Sequence, residues 1–441
     1  MQSPKGEVAL KRTLTVRDMV IYGMIFMIPI APMGIYGYIV SEAKGMATMA
    51  YLVGMIAMIF TALSYARMSS TCPKAGSIYA YASHALGARI GFLVGWLVLL
   101  DYILLPALCY IVSALALEAV TGLSKWLWLA AFIAFNTVVN VRGIHITART
   151  NDVFAICLMT VFVWFVTLGL YMVFGGHLGQ PSIAPLYNAE TFSPGLIMSA
   201  VSIAALSFLG FDAISTLAEE NSGKPSDVGK ATITVLFLMG ALFIIQTWVA
   251  GMAWPDFGAL AQDKDNAFYT IAYAVGGTPL KIACAVATAV SWGFSCALVA
   301  QTAISRILLS MARDGQLPAA LARLHPRYQT PYVSTVFVAA VSMLVSVLFM
   351  SHVDSLTSLV NFGALSAFFV LHLCVLNQFM VRTPSGNWVK DGVVPLIGLA
   401  VIGYVWISLD MHAMKMGLAW LAVGVIYLAM NSRKIKRLQF S

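Results

Sequence analysis

Apolar stretches long enough to cross a bilayer follow one another along nearly the whole chain, and this constrains the fold more than any other feature. A spanning helix needs about 20 apolar residues. Twelve stretches qualify, at roughly 17–40, 46–66, 90–117, 126–142, 150–175, 195–218, 230–253, 280–305, 332–350, 355–380, 393–409 and 413–430. Only 10% of the residues are charged and 60% are hydrophobic, against about 25% charged in soluble domains. The expected fold class is an all-α membrane protein with twelve transmembrane helices. A shorter segment near 75–86 reads as an interfacial helix before the third span.

Lys and Arg set the orientation. With the N-terminus inside, only Lys44, Lys125, Lys264, Lys281 and Lys415 of the 26 basic residues fall on the outer side. Removing any one span would scramble that alternation, so the asymmetry supports the count of twelve and places both termini in the cytoplasm. The net charge of +8 is spread over short loops, which argues against a nucleic-acid partner. No cleavable signal peptide is expected: the first apolar run carries two prolines and no small-residue cleavage site.

Two spans are interrupted. In the first, Ile28-Pro29-Ile30-Ala31-Pro32-Met33-Gly34 places two prolines and a glycine at mid-depth. Proline has no N–H and clashes with the carbonyl four residues back, so this run should unwind. In the sixth, Ser207-Phe208-Leu209-Gly210-Phe211-Asp212 sets a glycine and an aspartate inside an apolar run. Freed backbone groups are tolerated at that depth only where they face protein or a wet cavity. Breaks in corresponding positions point to a secondary transporter with a midplane site built from inverted repeats. The expected division is an N-terminal segment 1–16, a first repeat 17–175, a second repeat 195–380, two further spans over 393–430 and a C-terminal segment 431–441. Unrelated proline or glycine kinks are the plainer alternative.

Acids inside such spans mark function by default. Asp212 could hold an ammonium group or a coupling proton, or could cap the half-helix that follows it. Asp101 lies mid-span, beside Tyr102, and Pro106 leaves the Tyr102 carbonyl without its helical donor; carboxylate, carbonyl and aromatic together suit a protonated amine. The half-helix N-termini would favour a carboxylate. Ser291, Ser295, Thr302 and Ser305 on the eighth span could bind Na⁺, although such hydroxyls commonly bond the carbonyl one turn back. Phe208, Phe211, Tyr36 and Phe294 could gate a cavity or stack on a cation, or simply pack. His372 reads as a packing residue rather than a proton relay, and Arg306 and Arg313 as interfacial anchors. The six cysteines read as small core residues. No P-loop or metal-binding pattern is present, so no enzyme, cofactor or metal is expected.

Several local sequences then carry a resemblance. Leu209-Gly210-Phe211-Asp212 with Ala218-Glu219-Glu220, Pro73-Lys74-Ala75-Gly76-Ser77-Ile78-Tyr79, Gly95-Trp96, Ser305-Arg306 with Ala312-Arg313-Asp314-Gly315, and His325-Pro326 with Thr330-Pro331 resemble the amino acid–polyamine–organocation permeases along nearly the whole chain. Leu99-Leu100-Asp101-Tyr102 and Val360-Asn361-Phe362-Gly363-Ala364-Leu365 look most like bacterial putrescine importers. The resemblance implies a leucine-transporter-type 5+5 fold with broken helices one and six, alternating access driven by H⁺ or Na⁺, a bacterial inner-membrane location, and a place for Asn361 in the site. Two departures stand out. Gly34 occupies the position of an aspartate in those importers, and Leu158 that of a lysine in some proton-coupled members.

The expectation is an importer of an organic amine or amino acid, putrescine foremost. The alternatives are a neutral amino acid permease of the same fold and an amine receptor that does not transport. Its substrate site would comprise Ile28, Pro29, Ile30, Ala31, Met33, Gly34, Asp101, Tyr102, Phe208, Leu209, Gly210, Phe211, Asp212, Phe294 and Asn361, with Ser291 and Ser295 as ion ligands.

Overall fold

Nearly every apolar run is helical in a computed structural model of the chain, which describes residues 14–437 apart from 73–76, 144–147, 219–220, 314, 316 and 385–386. Pro73, Lys74, Ala75, Gly76, Glu219, Glu220 and Asp314 of the family-like motifs lie outside the described residues, as do 1–13 and 438–441 of the terminal segments. The first span is the pair α1 (Val16–Met27) and α2 (Ala31–Glu42), bent by 47°. A capping box starts it: the Thr15 hydroxyl accepts the Asp18 N–H, and the Asp18 carboxylate accepts the Thr15 N–H. Next come α3 (Ala47–Thr71), α4 (Ser77–Leu86) and α5 (Ala88–Thr121), which stops at left-handed Gly122. Then follow α6 (Lys125–Arg142), α7 (Ala148–Phe174) and α8 (Pro194–Phe208), with α8 passing through a turn into a tight 3-10 segment, Asp212–Leu217. The second half holds α9 (Ser226–Ala253), the short α10 (Phe257–Leu260) and α11 (Ala267–Val290). A wide turn at Ser291–Cys296 leads from α11 into α12 (Ala297–Arg313). The chain closes with α13 (Tyr332–Phe349), α14 (Val353–Leu376), α15 (Val394–Ile407) and α16 (Met411–Arg437).

Among the described residues, ten helices are long and apolar enough to cross a membrane, and eleven if the bent pair α1–α2 counts as one span. The expected fourth span is present as α6, 18 residues long, but Asn136, Asn140 and its terminal Lys125 and Arg142 keep it outside that group. The eighth span starts earlier than its hydropathy indicates. Residues from Ala267 are already helical, with a break at Gly276 and left-handed Gly277 just before Pro279. Proline removes a donor and glycine supplies the positive φ, so the chain turns there without losing the helix on either side. The segment expected to be interfacial, α4, buries one face against the bundle: Ile78, Tyr81, Ala82 and Ala85 are buried, and His84 on its other side is exposed.

α5 is the axis of the bundle and packs against α4, α6, α11, α12, α13, α14 and α16. Its apolar window is 83% buried, against 17% for Met411–Met430, whose side chains face outward. Each end of the bundle is tied separately. At the end where α1 starts, Ser222 donates to the Leu14 carbonyl and Arg67 pairs with Asp391. At the opposite end, Tyr38 donates to Asp265 and the Trp248 indole to the Ser182 carbonyl.

Candidate substrate site

The two interruptions lie side by side. Met27 closes α1, and Ile28 takes φ 57°, a region a β-branched residue rarely enters. Pro29 enforces the departure by disfavouring helical backbone in the residue before it. The break is shorter than expected: α2 resumes at Ala31, so Met33 and Gly34 are helical. Pro32 falls in the first turn, where its missing N–H has no helical acceptor to lose. The Pro29 carbonyl is held by the Gln246 side-chain amide of α9 at 3.0 Å.

In the sixth span Leu209 is extended and Gly210 has φ 114°. Any Cβ at Gly210 would be driven into the Phe26 ring of α1, so this glycine serves both the turn and the close approach of the two breaks. Asp212 does not cap a following half-helix. It is the first residue of the 3-10 segment, and its carboxylate reaches back to the Gly210 N–H at 3.2 Å. Its other oxygen accepts from the Tyr102 hydroxyl of α5 at 2.9 Å. Span three is thereby bonded to the break in span six.

Asp101 precedes Tyr102 and is 6% exposed, as is Asp212. Asp101 Oδ1 has no hydrogen-bond partner, and no basic side chain pairs with either acid among the described residues. Gly363 of α14 presses on the Asp101 backbone, where a Cβ would stand 2.8 Å from its amide nitrogen. Asn361, two residues earlier, donates to the Ser202 carbonyl of α8 at 2.7 Å, and its own amide oxygen is unpartnered. The structure therefore brings the two breaks together where Phe26 meets Gly210, bonds Tyr102 beside Asp101 to Asp212, and ties Asn361 of α14 to α8. An uncompensated carboxylate in a bilayer costs about 3 kcal/mol.

The aromatic candidates separate. Phe211 packs edge-on against Tyr65 of α3 and beside Phe368 of α14, next to the break. Phe208 points the other way, into a cluster with Tyr51 and Phe243. Tyr36 packs edge-on against Phe268. Phe294 faces α6, its ring 4.7 Å from Phe132 and 5.0 Å from Phe135, so it does not join the site.

The hydroxyls proposed as ion ligands are mostly spent. Ser291 donates to the Thr288 carbonyl, Thr302 to Leu298 and Ser305 to Gln301. Ser295 alone keeps a buried hydroxyl without a partner. Leu158 is buried and apolar. His372 accepts or donates to Ser64 and Thr61 of α3, with Gly398 against its ring, as a packing residue would.

Three contributors escape a reading of the sequence. Gln246 holds the broken backbone of span one. Asn136 donates at 2.6 Å to the Gly293 carbonyl, within the wide turn of span eight. Trp292 in that turn is buried, its indole N–H has no partner, and it lies 3.4 Å from where a Cβ on Gly34 would stand. The tryptophan beside the serines and the glycine in span one were both visible in sequence; their juxtaposition was not. Gly34 also forms the floor of a cavity of about 240 Å³, whose wall includes Val112, Glu118, Asp265, Tyr269 and Val353.

Comparison with known proteins fixes the class. The amino acid permease family model matches residues 18–429. The chain belongs to that family. It is 30% identical over 440 residues to the low-affinity putrescine importer PlaP of Escherichia coli, covering 98% of this chain and 96% of that one. The branched-chain amino acid permease BcaP of Bacillus subtilis is 28% identical over 98% of this chain and 96% of its own. The methylthioribose transporter of the same organism is 26% identical over 97% and 94%. This permease is therefore a multi-pass membrane transporter of the amino acid and polyamine class, not an enzyme.

Proposed function

We propose that this permease is a secondary active importer of an organic amine, with putrescine or a related cation as its substrate. The observation that carries the reading is the Asp101–Asp212 pair, buried beside two broken spans with no basic partner among the described residues. An ammonium group supplies the missing charge, and the Tyr102 hydroxyl holds one acid in place to meet it. The likeness to a putrescine importer over nearly the full chain supports the same ligand class.

Residues 17–175 and 195–380 form two inverted repeats in this reading, followed by two spans over 393–430. Spans one, two, six and seven rock against the rest, driven by a gradient of H⁺ or Na⁺. Both termini lie in the cytoplasm of a bacterial inner membrane, on the side the Lys and Arg count selects. Uptake of labelled putrescine into proteoliposomes, set against arginine, leucine and phenylalanine, tests the assignment. Accumulation of putrescine under an imposed ion gradient is the expected result, and uptake confined to leucine or phenylalanine defeats it.

One observation favours a second reading, a neutral amino acid permease. Gly34 brings no acid to the site, and beside it Trp292 offers an unused N–H donor suited to a carboxylate. Amino acid methyl esters separate the two: they fail to compete where the carboxylate is required, and compete where only the ammonium is read.

A further inference from the structure

The last turn of α6 carries a charge that the bundle does not answer. Phe135, Val138 and Arg142 are exposed at a spacing of three and four, so they share one outward face of α6. Arg142 ends that face. α13 packs beside α6 and turns Val336 and Phe337 outward near its own start. The two helices thus present the membrane with an apolar seam, and Arg142 stands at its end.

The chain leading into α13 brings a second arginine to the same place. The Thr330 hydroxyl donates at 2.6 Å to the Val141 carbonyl, one of those a helix end leaves unpaired. Gly143 lies against this segment: a Cβ there would stand 2.9 Å from the Thr330 methyl group and 3.7 Å from the Tyr328 carbonyl oxygen. His325 closes the turn. Its N–H donates to the Thr330 carbonyl at 2.8 Å, and its ring Nδ1 accepts the Arg327 N–H at 3.2 Å. Gln329 is held at φ 55° within it, a conformation that persists only where the surroundings impose it. Arg327 is thereby presented from a built turn. It is exposed, with its guanidinium 5.6 Å from the centre of the Tyr328 ring. Neither Arg142 nor Arg327 pairs with a carboxylate among the described residues, whereas Arg67 at the same end of the bundle has Asp391. The chain offers no acid between Glu118 and Asp152, nor between Asp314 and Asp354.

We infer that the end of the seam between α6 and α13 is a binding site for an anionic phospholipid, its headgroup on Arg142 and Arg327 and its acyl chains along Phe135, Val138, Val336 and Phe337. A guanidinium meets phosphate oxygens through parallel N–H donors, and basic groups where helices leave the membrane attract anionic headgroups. An acidic protein would match the arginines but not the apolar seam that continues from them into the membrane. The inference is independent of what the permease carries.

The test is native mass spectrometry of the full chain released from micelles that hold equal amounts of phosphatidylglycerol and phosphatidylcholine. The unaltered chain should retain phosphatidylglycerol in preference. An arginine at an anionic surface contributes about a fivefold preference, so Arg142→Gln/Arg327→Gln should cut the ratio about 20-fold. Arg142→Lys/Arg327→Lys keeps the charge and should keep most of the preference. Arg89 is exposed at the start of α5, where Phe92 and Trp96 pack on α16 rather than on the seam; Arg89→Gln should leave the ratio unchanged. Equal retention of the two lipids by the unaltered chain overturns the inference, and that measurement requires no variant to fold. So does a preference that survives in Arg142→Gln/Arg327→Gln. So does one that Arg89→Gln lowers as far as the seam pair does, because the attraction is then diffuse surface charge and not a site.

Discussion

Asp391 and Asp101 are both aspartates withdrawn into an apolar helical bundle, and the fold treats them oppositely. Asp391, just before α15, meets the Arg67 guanidinium of α3 through two bonds of 2.6 and 3.0 Å. The guanidinium also lies 4.2 Å over the Phe379 ring. Asp101 keeps an oxygen with no partner at all. A charge neutralised within the protein holds helices together; in the proposed reading, the one left uncompensated meets the substrate. Removing a partner from the first should therefore cost stability, and neutralising the second should cost transport.

The largest effect is expected at the uncompensated acids. Asp101→Asn and Asp212→Asn should each lower putrescine uptake on the order of 100-fold, as losing a desolvated charge partner does, while thermal unfolding in detergent stays unchanged or moves upward. Normal uptake by both variants would erase the distinction between the two kinds of aspartate.

Arg67→Ala should show the converse. It strands Asp391 and should destabilise the fold by roughly 3 kcal/mol, somewhat reduced because a third of the Arg67 side chain is exposed. Adding Asp391→Asn should recover most of that loss in chemical denaturation. If Arg67→Ala is neutral, the pair does not hold α3 to the segment before α15.

Gly210→Ala probes the backbone beside the acids. Its φ of 114° and the Phe26 ring leave no room for a methyl group, so about 2 kcal/mol of destabilisation is expected, with uptake falling as the breaks move apart. Tyr102→Phe removes one bond to Asp212, worth about 1 kcal/mol; the expected reading is a KM raised roughly fivefold. Phe294→Leu is the smallest change. It trims a ring packed on α6, costs about 1 kcal/mol of stability and leaves the KM where it was. A shift in KM would return Phe294 to the site.

The legible part of the site was the part written in backbone chemistry. Pro29 cannot donate and Gly210 readily takes a positive φ, so both breaks could be placed to within a few residues. Asp101 and Asp212 could be singled out because a carboxylate in hydrocarbon needs a reason. The errors have one source, the direction of a side chain around its helix. Phe208 and Phe294 were credited to the site for their chemistry, yet the helix turns them toward α9 and α6. Asp212 was offered a capping role because local spacing allowed it, whereas a hydroxyl from another helix and the amide of Gly210 claim its oxygens.

Sequence alone determined that this chain crosses a membrane many times, that its helices fail at two places, and that two acids, Asp101 and Asp212, lie within apolar spans. These follow from the cost of bringing polar groups into lipid, which is local and cumulative along the chain. Only the tertiary structure decided which acid is neutralised and which is left open, that Gln246 and Asn136 hold backbone carbonyls at irregular turns, and that Trp292 faces Gly34. Those are contacts between helices far apart in sequence, and no residue carries the identity of the neighbour that packing will give it.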